Sequence, residues 1–320
     1  MLEVERLLAD CLHDARTERL GSVPLVPEGA AYAAARRAFL AAGLRALRGD
    51  RPETGWVQLN VAPGGAEAWP ALYQRLDDTA RDLMGSGAAQ DFFFMHKPPG
   101  LRVRFRAPDA ALAGALREEL VRRLAPAPDG AWAAPWPAVY EPETYLFGGA
   151  RSMVSVHRLF TVDSLAWLDH HTATGPTPDW RVSLSLLHAV LDGLGIVGWE
   201  HRGVWQAVRE ETGRRLIGGL RGAERERAAA GVRAFWELPE GARLDAAVPE
   251  SRRAGLAVRQ AALRDAARRW RADYFETGEA VLGPRRAAAH YVIFHWNRGR
   301  FSAARQSLLT EALAADTGRP

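Results

Sequence analysis

The run Leu101-Arg102-Val103-Arg104-Phe105-Arg106 alternates strictly between apolar residues and arginine. In a strand, this period of two turns Leu101, Val103 and Phe105 to one face and all three guanidiniums to the other. Gln58 and Asn60 alternate in the same way within Trp56-Val-Gln-Leu-Asn-Val61, and in a shared sheet they join the arginine face. Such a face suits an extended peptide or a carboxylate, which guanidinium grips with two parallel bonds. It equally suits the solvated side of an antiparallel sheet. A second stretch, Tyr140-Glu141-Pro142-Glu143-Thr144-Tyr145-Leu146-Phe147-Gly148-Gly149, holds two phenols and two carboxylates ahead of a Gly-Gly pair. It reads as a turn or as the edge of a site. In a third, Ser152-Met153-Val154-Ser155-Val156-His157, a strand would align Ser155 with His157, and His157 would suit acid–base work near neutral pH. Asp163-Ser164 just after it reads as the N-cap of a following helix. The last, Tyr291 to Arg298, is aromatic-rich and carries His295, Asn297 and Arg298, with Gln306 downstream.

Other patterns exclude chemistry. Gly193-Leu194-Gly195-Ile196-Val197-Gly198 matches a dinucleotide fingerprint in letters, but a leucine-striped helix precedes it where a strand is required. Those glycines read as a helix C-terminus. The histidines His170, His171, His188, His201, His290 and His295 show no zincin spacing, so no metal is expected. A single cysteine, Cys11, rules out an internal disulfide. Phosphate loops and nucleophile elbows are absent, so no cofactor is expected. Lys97 is the one lysine, which confines Schiff-base chemistry to that residue. With 42 basic against 38 acidic residues, the net charge of +4 gives no bulk drive toward nucleic acid. No apolar run reaches the ~20 residues of a membrane span, and the charged N-terminus lacks a signal core. A cytoplasmic protein follows as the expectation.

The elements that must position these residues are legible from periodicity. Residues 2–16 and 31–48 read as amphipathic helices joined by an extended Val23-Pro24-Leu25-Val26-Pro27 connector. Strands are expected at 56–61, 91–97, 101–106 and 138–141, with helices around Trp69–Leu83 and at 109–124. That order is β-α-β-β-α-β, the ferredoxin-like arrangement, and the fold class is α+β. Beyond about residue 160 helices dominate, including one striped by Leu184, Leu187, Leu191 and Leu194 and an arginine-rich one at 251–275. Segments 199–220, 222–236 and 301–315 also read as helical, while 287–296 is ambiguous. The expected organisation is an N-terminal helical segment (1–50), an α+β sheet region (51–160) and a helical region (161–320), forming one compact unit.

Taken in order, several segments resemble one family. They are Trp56-x-Gln58-Leu59-Asn60-Val61, Phe92-Phe93-Phe94 and Leu101-Arg102-Val103-Arg104-Phe105. Then come Tyr140-Glu141-x-Glu143 with Phe147-Gly148-Gly149, Phe160-x-x-Asp163-Ser164 and Asn297-Arg298. The chain is similar, over about residues 50–320, to the thiopeptide-type bacteriocin biosynthesis domain, a relative of the C-terminal elimination domain of lantibiotic dehydratases. The resemblance implies an elimination-domain-like fold and a ribosomally made precursor peptide as partner. In elimination members, arginines and a histidine expel glutamate from a glutamylated serine or threonine. Arg102 and Arg104 match that pattern. Leu146 stands where an arginine usually precedes the aromatic-Gly-Gly, and Ile293 stands where the histidine usually lies four residues before Asn-Arg. His295 lies two positions along, about 200° away on a helix.

Stand-alone relatives of this size are thiopeptide pyridine synthases. The resemblance therefore implies a formal aza-[4+2] cycloaddition between two dehydroalanines of a thiazole-bearing peptide, with loss of water and leader peptide. His157 and Tyr140 are the first candidates for proton movement, with Tyr145 and His295 behind them and Ser155 for hydrogen bonding. Arg102, Arg104, Gln58, Asn60, Glu141, Asn297, Arg298 and Gln306 are the expected peptide contacts. The arginine-rich helix is a further candidate for an acidic leader, or a solvated face. The alternatives are a glutamate-eliminating partner of a split dehydratase and a non-catalytic peptide-binding subunit. No nucleic acid or membrane partner is expected, and a homodimer is left open.

Overall fold

The computed structural model describes residues 4–16, 30–49, 55–126, 130, 132–175, 177–216 and 219–315. The chain divides into two compact units, residues 1–53 and 54–320. In the first, the two helices that the periodicity predicts, α1 (Val4–Arg16) and α2 (Ala30–Gly49), pack against each other. The Tyr32 hydroxyl donates to Asp10 at 2.8 Å, and Arg36 reaches the same carboxylate at 3.6 Å. The proline connector between the helices lies outside the described residues.

The second unit begins with β1 (Trp56–Val61), α3 (Trp69–Gly85), β2 (Asp91–Lys97), β3 (Gly100–Arg106), α4 (Ala113–Arg123) and β4 (Trp136–Ala138). The sheet order is β2-β3-β1-β4, antiparallel throughout. This is the predicted ferredoxin-like topology. The last strand sits two residues earlier than its sequence-based position. Pro137 argues against a strand in sequence, but β4 is a three-residue edge strand, where a missing N–H costs little.

Register fixes what each face carries. Val57, Leu59 and Val61 lie opposite Phe105, Val103 and Leu101, and Phe92 and Phe94 extend that apolar face. All are buried, together with Leu72 and Leu76 of α3 and Leu116 and Leu120 of α4. The other face pairs Gln58 with Arg104 and Asn60 with Arg102, as expected, and adds Phe93 and Met95. It is not a solvated face at its centre: Gln58 is 5% exposed, Arg104 2% and Phe93 0%.

Helices seal it. A 3-10 turn at Thr144–Leu146 leads through Gly148 and Gly149 into α5 (Ala150–His171). Gly148 has φ +87, and a Cβ there would meet the Tyr274 hydroxyl, which donates to the Gly148 carbonyl at 2.8 Å. Then follow α6 (Asp179–Gly193), α7 (Glu200–Glu211), α8 (Ala223–Trp236), α9 (Glu240–Ala247), α10 (Glu250–Trp270), α11 (Pro284–Arg298) and α12 (Ala303–Ala314). The arginine-rich helix is α10 plus a π-turn at Arg271–Phe275, and 287–296 resolves as α11. The α6 terminus confirms the glycine reading. Gly195 has φ +71, its N–H bonds Asp192 O, and the Ile196 N–H bonds Leu191 O, the paired bonds of a Schellman cap.

α5 packs along β2, the edge strand, and covers its open N–H groups. Phe92 N–H donates to Thr161 Oγ at 3.1 Å and Phe94 N–H to Ser164 Oγ at 3.3 Å. No described helix is long and apolar enough to cross a membrane.

Candidate functional site

The segment 152–157, in which a strand would have aligned Ser155 with His157, instead forms the first turns of α5. A helix separates residues two apart by about 200°, so Ser155 and His157 do not share a face. Ser155 is buried at 4% exposure. What the helix does is aim His157 at the sheet. His157 is 1% exposed, and its Nε2 lies 2.7 Å from the Tyr140 hydroxyl. Tyr140 is half-buried and forms the outer member of the pair.

Aromatic rings surround this dyad. Trp56 lies 4.5 Å from the His157 ring and 5.2 Å from the Tyr140 ring, and Phe93 lies 5.9 Å and 5.6 Å away. The Arg104 guanidinium sits 4.7 Å from the Tyr140 ring centre and 4.9 Å from that of Phe93. Its Nε donates to Gln58 Oε1 at 2.7 Å, while its Nη1 is buried with no hydrogen-bond partner among the described residues. Burial pulls this guanidinium down to about 10; nearby Tyr140 and Glu143 oppose that pull. Glu143 also has a buried carboxylate oxygen, Oε2, without a partner among the described residues. The candidate site therefore combines a hydrogen-bonded phenol–imidazole pair, a cation with an N–H that no described residue accepts, and flat apolar walls.

Behind it lies a buried ionic network. Asp163 accepts from Arg298 Nη1 at 3.0 Å and lies 2.8 Å from His295 Nδ1, and all three side chains are 0% exposed. Arg298 Nε donates to Ser164 Oγ at 3.1 Å, and its guanidinium lies 4.1 Å from the Phe160 ring centre. Ser183 Oγ lies 2.9 Å from His295 Nε2 and accepts the Trp296 indole N–H at 3.1 Å. Burial alone would raise the Asp163 carboxyl; His295 and Arg298 outweigh it and hold the group below its ordinary value. Burial lowers Arg298, with Asp163 opposing. Asp163-Ser164 is thus no helix cap: it lies mid-α5 and anchors α11.

Other predicted site residues fall elsewhere. His295 is sealed in this network, out of reach of a peptide. Tyr145 is 80% exposed in the turn before α5. Glu141 is exposed, and Asn60 and Arg102 are half-buried on the sheet face. Gln306 is buried on α12, where it accepts from Arg214 at 2.7 Å and donates to Phe301 O at 3.0 Å, a structural role. The Asn297 and Arg298 carbonyls are held by His96 Nδ1 and His171 Nε2, each at 2.9 Å. The α10 arginines mostly face partners within the fold: Arg252 to Thr177, Arg259 to Asp169 and Arg264 to Glu240. Sequence reasoning missed Trp56 and Phe93 as walls of the site. Their period-two placement beside Gln58 and Arg104 was the available signal.

The lantibiotic biosynthesis dehydratase C-terminal family matches residues 56–316, from β1 through α12. Among curated proteins none matches. Among solved structures, the tRNA-dependent lantibiotic dehydratase MibB from Microbispora sp. 107891 is similar, with a TM-score of 0.63 and 18% identity. The likeness covers 82% of this chain and 28% of MibB, so this chain corresponds to a part of that protein and shares its fold there. Leu146 and Ile293, where the resemblance leads one to look for an arginine and a histidine, are aliphatic side chains packed against the core. With the family pattern running through every strand of the sheet and the helices that seal it, the chain belongs to the lantibiotic biosynthesis dehydratase C-terminal family.

Proposed function

We propose that this protein is a thiopeptide pyridine synthase acting on a ribosomally made precursor peptide. The observation that carries the proposal is the Tyr140–His157 hydrogen bond set among Trp56, Phe93 and Arg104. The reaction must move an amide proton from nitrogen to its carbonyl oxygen, making an azadiene from one dehydroalanine. Two carbon–carbon bonds to the second dehydroalanine then close the ring. Water and the leader amide leave, and the ring becomes a pyridine. Tyr140 and His157 supply the proton relay, worth roughly 10²–10⁴-fold. Arg104 Nη1 is a donor for the amide oxygen as it gains charge. Trp56 and Tyr140 offer ring faces to flat thiazoles. Holding two distant alkenes in contact contributes the larger share, roughly 7–11 kcal/mol.

The second reading is glutamate elimination. Leu146 and Ile293 count against it, because neither can bind the departing carboxylate or take the α-proton. One assay separates the readings. Purified protein is incubated with a synthetic leader-bearing thiazole peptide containing two dehydroalanines, and the products are followed by mass spectrometry. The expected products are a pyridine macrocycle and free leader amide. Glutamate released from a glutamylated peptide would overturn the proposal, and binding without turnover would leave a peptide-binding subunit.

A further inference from the structure

A separate cluster lies at the α6–α7 turn and shares no residue with the dyad. His188 and Asp192 are one helical turn apart on α6, and His201 opens α7. One potential ligand atom from each lies within 4.8 Å of the others. We propose that His188, Asp192 and His201 form a three-ligand site for a divalent transition metal of the zinc class, with a further coordination position open to the adjoining cavity.

Three observations carry this. First, His188 Nδ1 lies 3.4 Å from Asp192 Oδ2. That is long for a charge-assisted hydrogen bond. It matches the edge of a tetrahedron with bonds of about 2.0–2.1 Å, which is roughly 3.3–3.4 Å. Second, His201 Nε2 lies 2.9 Å from the Ile196 carbonyl. A carbonyl only accepts, so Nε2 carries the proton and Nδ1 keeps its lone pair. This is the outer hydrogen bond that orients metal-binding histidines. The Schellman cap ending α6 presents that carbonyl, so the turn itself sets the ring. Third, a cavity of about 600 Å³ opens beside the cluster, lined by all three residues with Trp199, Trp236 and Arg202 among its walls. Three protein ligands with an open position is the pattern of accessible zinc sites.

The opposing charges are Arg264, 3.6 Å from Asp192, Arg243, whose charge acts on His201, and Arg202 and Arg233 in the cavity wall. Arg264 has a closer partner in Glu240 at 2.6 Å, so it can give way to a cation. The linear pattern hides the site: a His-x-x-x-Asp pair on one helix and a histidine nine residues on, past a glycine turn, match no common metal motif.

The test uses the full chain stripped with chelator. It is titrated with Co²⁺ and Zn²⁺ by absorption and calorimetry. One equivalent of Co²⁺ should give the intense visible bands of four- or five-coordination, and Zn²⁺ should displace it. His188→Ala and His201→Gln should each weaken binding at least ~100-fold, beyond the 10–100-fold of an outer-shell loss. Arg264→Ala should tighten it several-fold. No binding, weak six-coordinate bands, or binding unchanged in both histidine variants would overturn the site. Circular dichroism checks that each variant is folded. If a histidine variant unfolds, the wild-type cobalt spectrum and Arg264→Ala decide.

Discussion

Tyr140 and His157 share one hydrogen bond but have unequal exposure, and that inequality assigns their parts. In the proposed reaction Tyr140, the more exposed of the two, would meet the peptide, with His157 behind it. Removing the phenol in Tyr140→Phe should lower kcat by roughly 10²–10⁴-fold with little change in KM, and His157→Ala should do the same. Equal losses in affinity and turnover, measured by peptide binding beside product formation, would move both residues to a binding role. The Asp163 network makes a different demand. Asp163→Asn leaves Arg298 charged and uncompensated in a sealed interior. The expected cost is about 3–5 kcal/mol, read by urea unfolding, and a change under 1 kcal/mol would show that Ser164 and the aromatic faces suffice for Arg298.

The union of α5 with β2 is what brings the candidate site together. An edge strand presents unpaired N–H groups, and here Thr161 and Ser164 accept two of them. The same docking brings His157 over the polar face and buries Phe93. Thr161→Val keeps the shape of the side chain but leaves the Phe92 N–H without its acceptor. The expected loss is about 1–3 kcal/mol, with faster amide hydrogen exchange at Phe92. Unchanged exchange there would mean another acceptor replaces the hydroxyl. α5 is a helix despite the strand-like start of its sequence, and its buried polar residues meet other helices: Ser152 accepts the Trp270 indole N–H, and Asp163 accepts from Arg298.

Across the second unit, neutral histidines close the junction between β2, α5 and α11. Burial holds His96 down at about 4 and His171 at about 3, and each donates to a carbonyl at the end of α11. Tyr73 hydroxyl completes the chain to His96 Nε2 at 2.6 Å. The unfolded chain takes up these protons near 6.5, and the folded chain resists until far lower pH. The unfolded state thus binds more protons between about 6.5 and 4, so stability rises with pH across that window and is lost as pH falls through it. The melting temperature should drop over this range, and His96→Gln should flatten the drop. A melting curve insensitive to pH between 6.5 and 4 would contradict the burial of these rings.

The alternation at 56–61 and 101–106 was enough to set those two strands and the shared face of Gln58, Asn60, Arg102 and Arg104, because a period of two is a local property of the chain, while the β-α-β-β-α-β succession of elements pointed to the topology. Helical spacing likewise marked the two N-terminal helices and the leucine-striped α6. The ordered motifs carried the family. Tertiary structure decided which of those residues are accessible. It buried Arg104 and His295, left Tyr145 outside, and turned Asp163 from a cap into a counter-ion. It also joined Tyr140 to His157 and His188 to His201. Such pairings depend on helices packing over a sheet edge and on one turn returning upon another, and a linear pattern does not encode which buried polar group another element will satisfy.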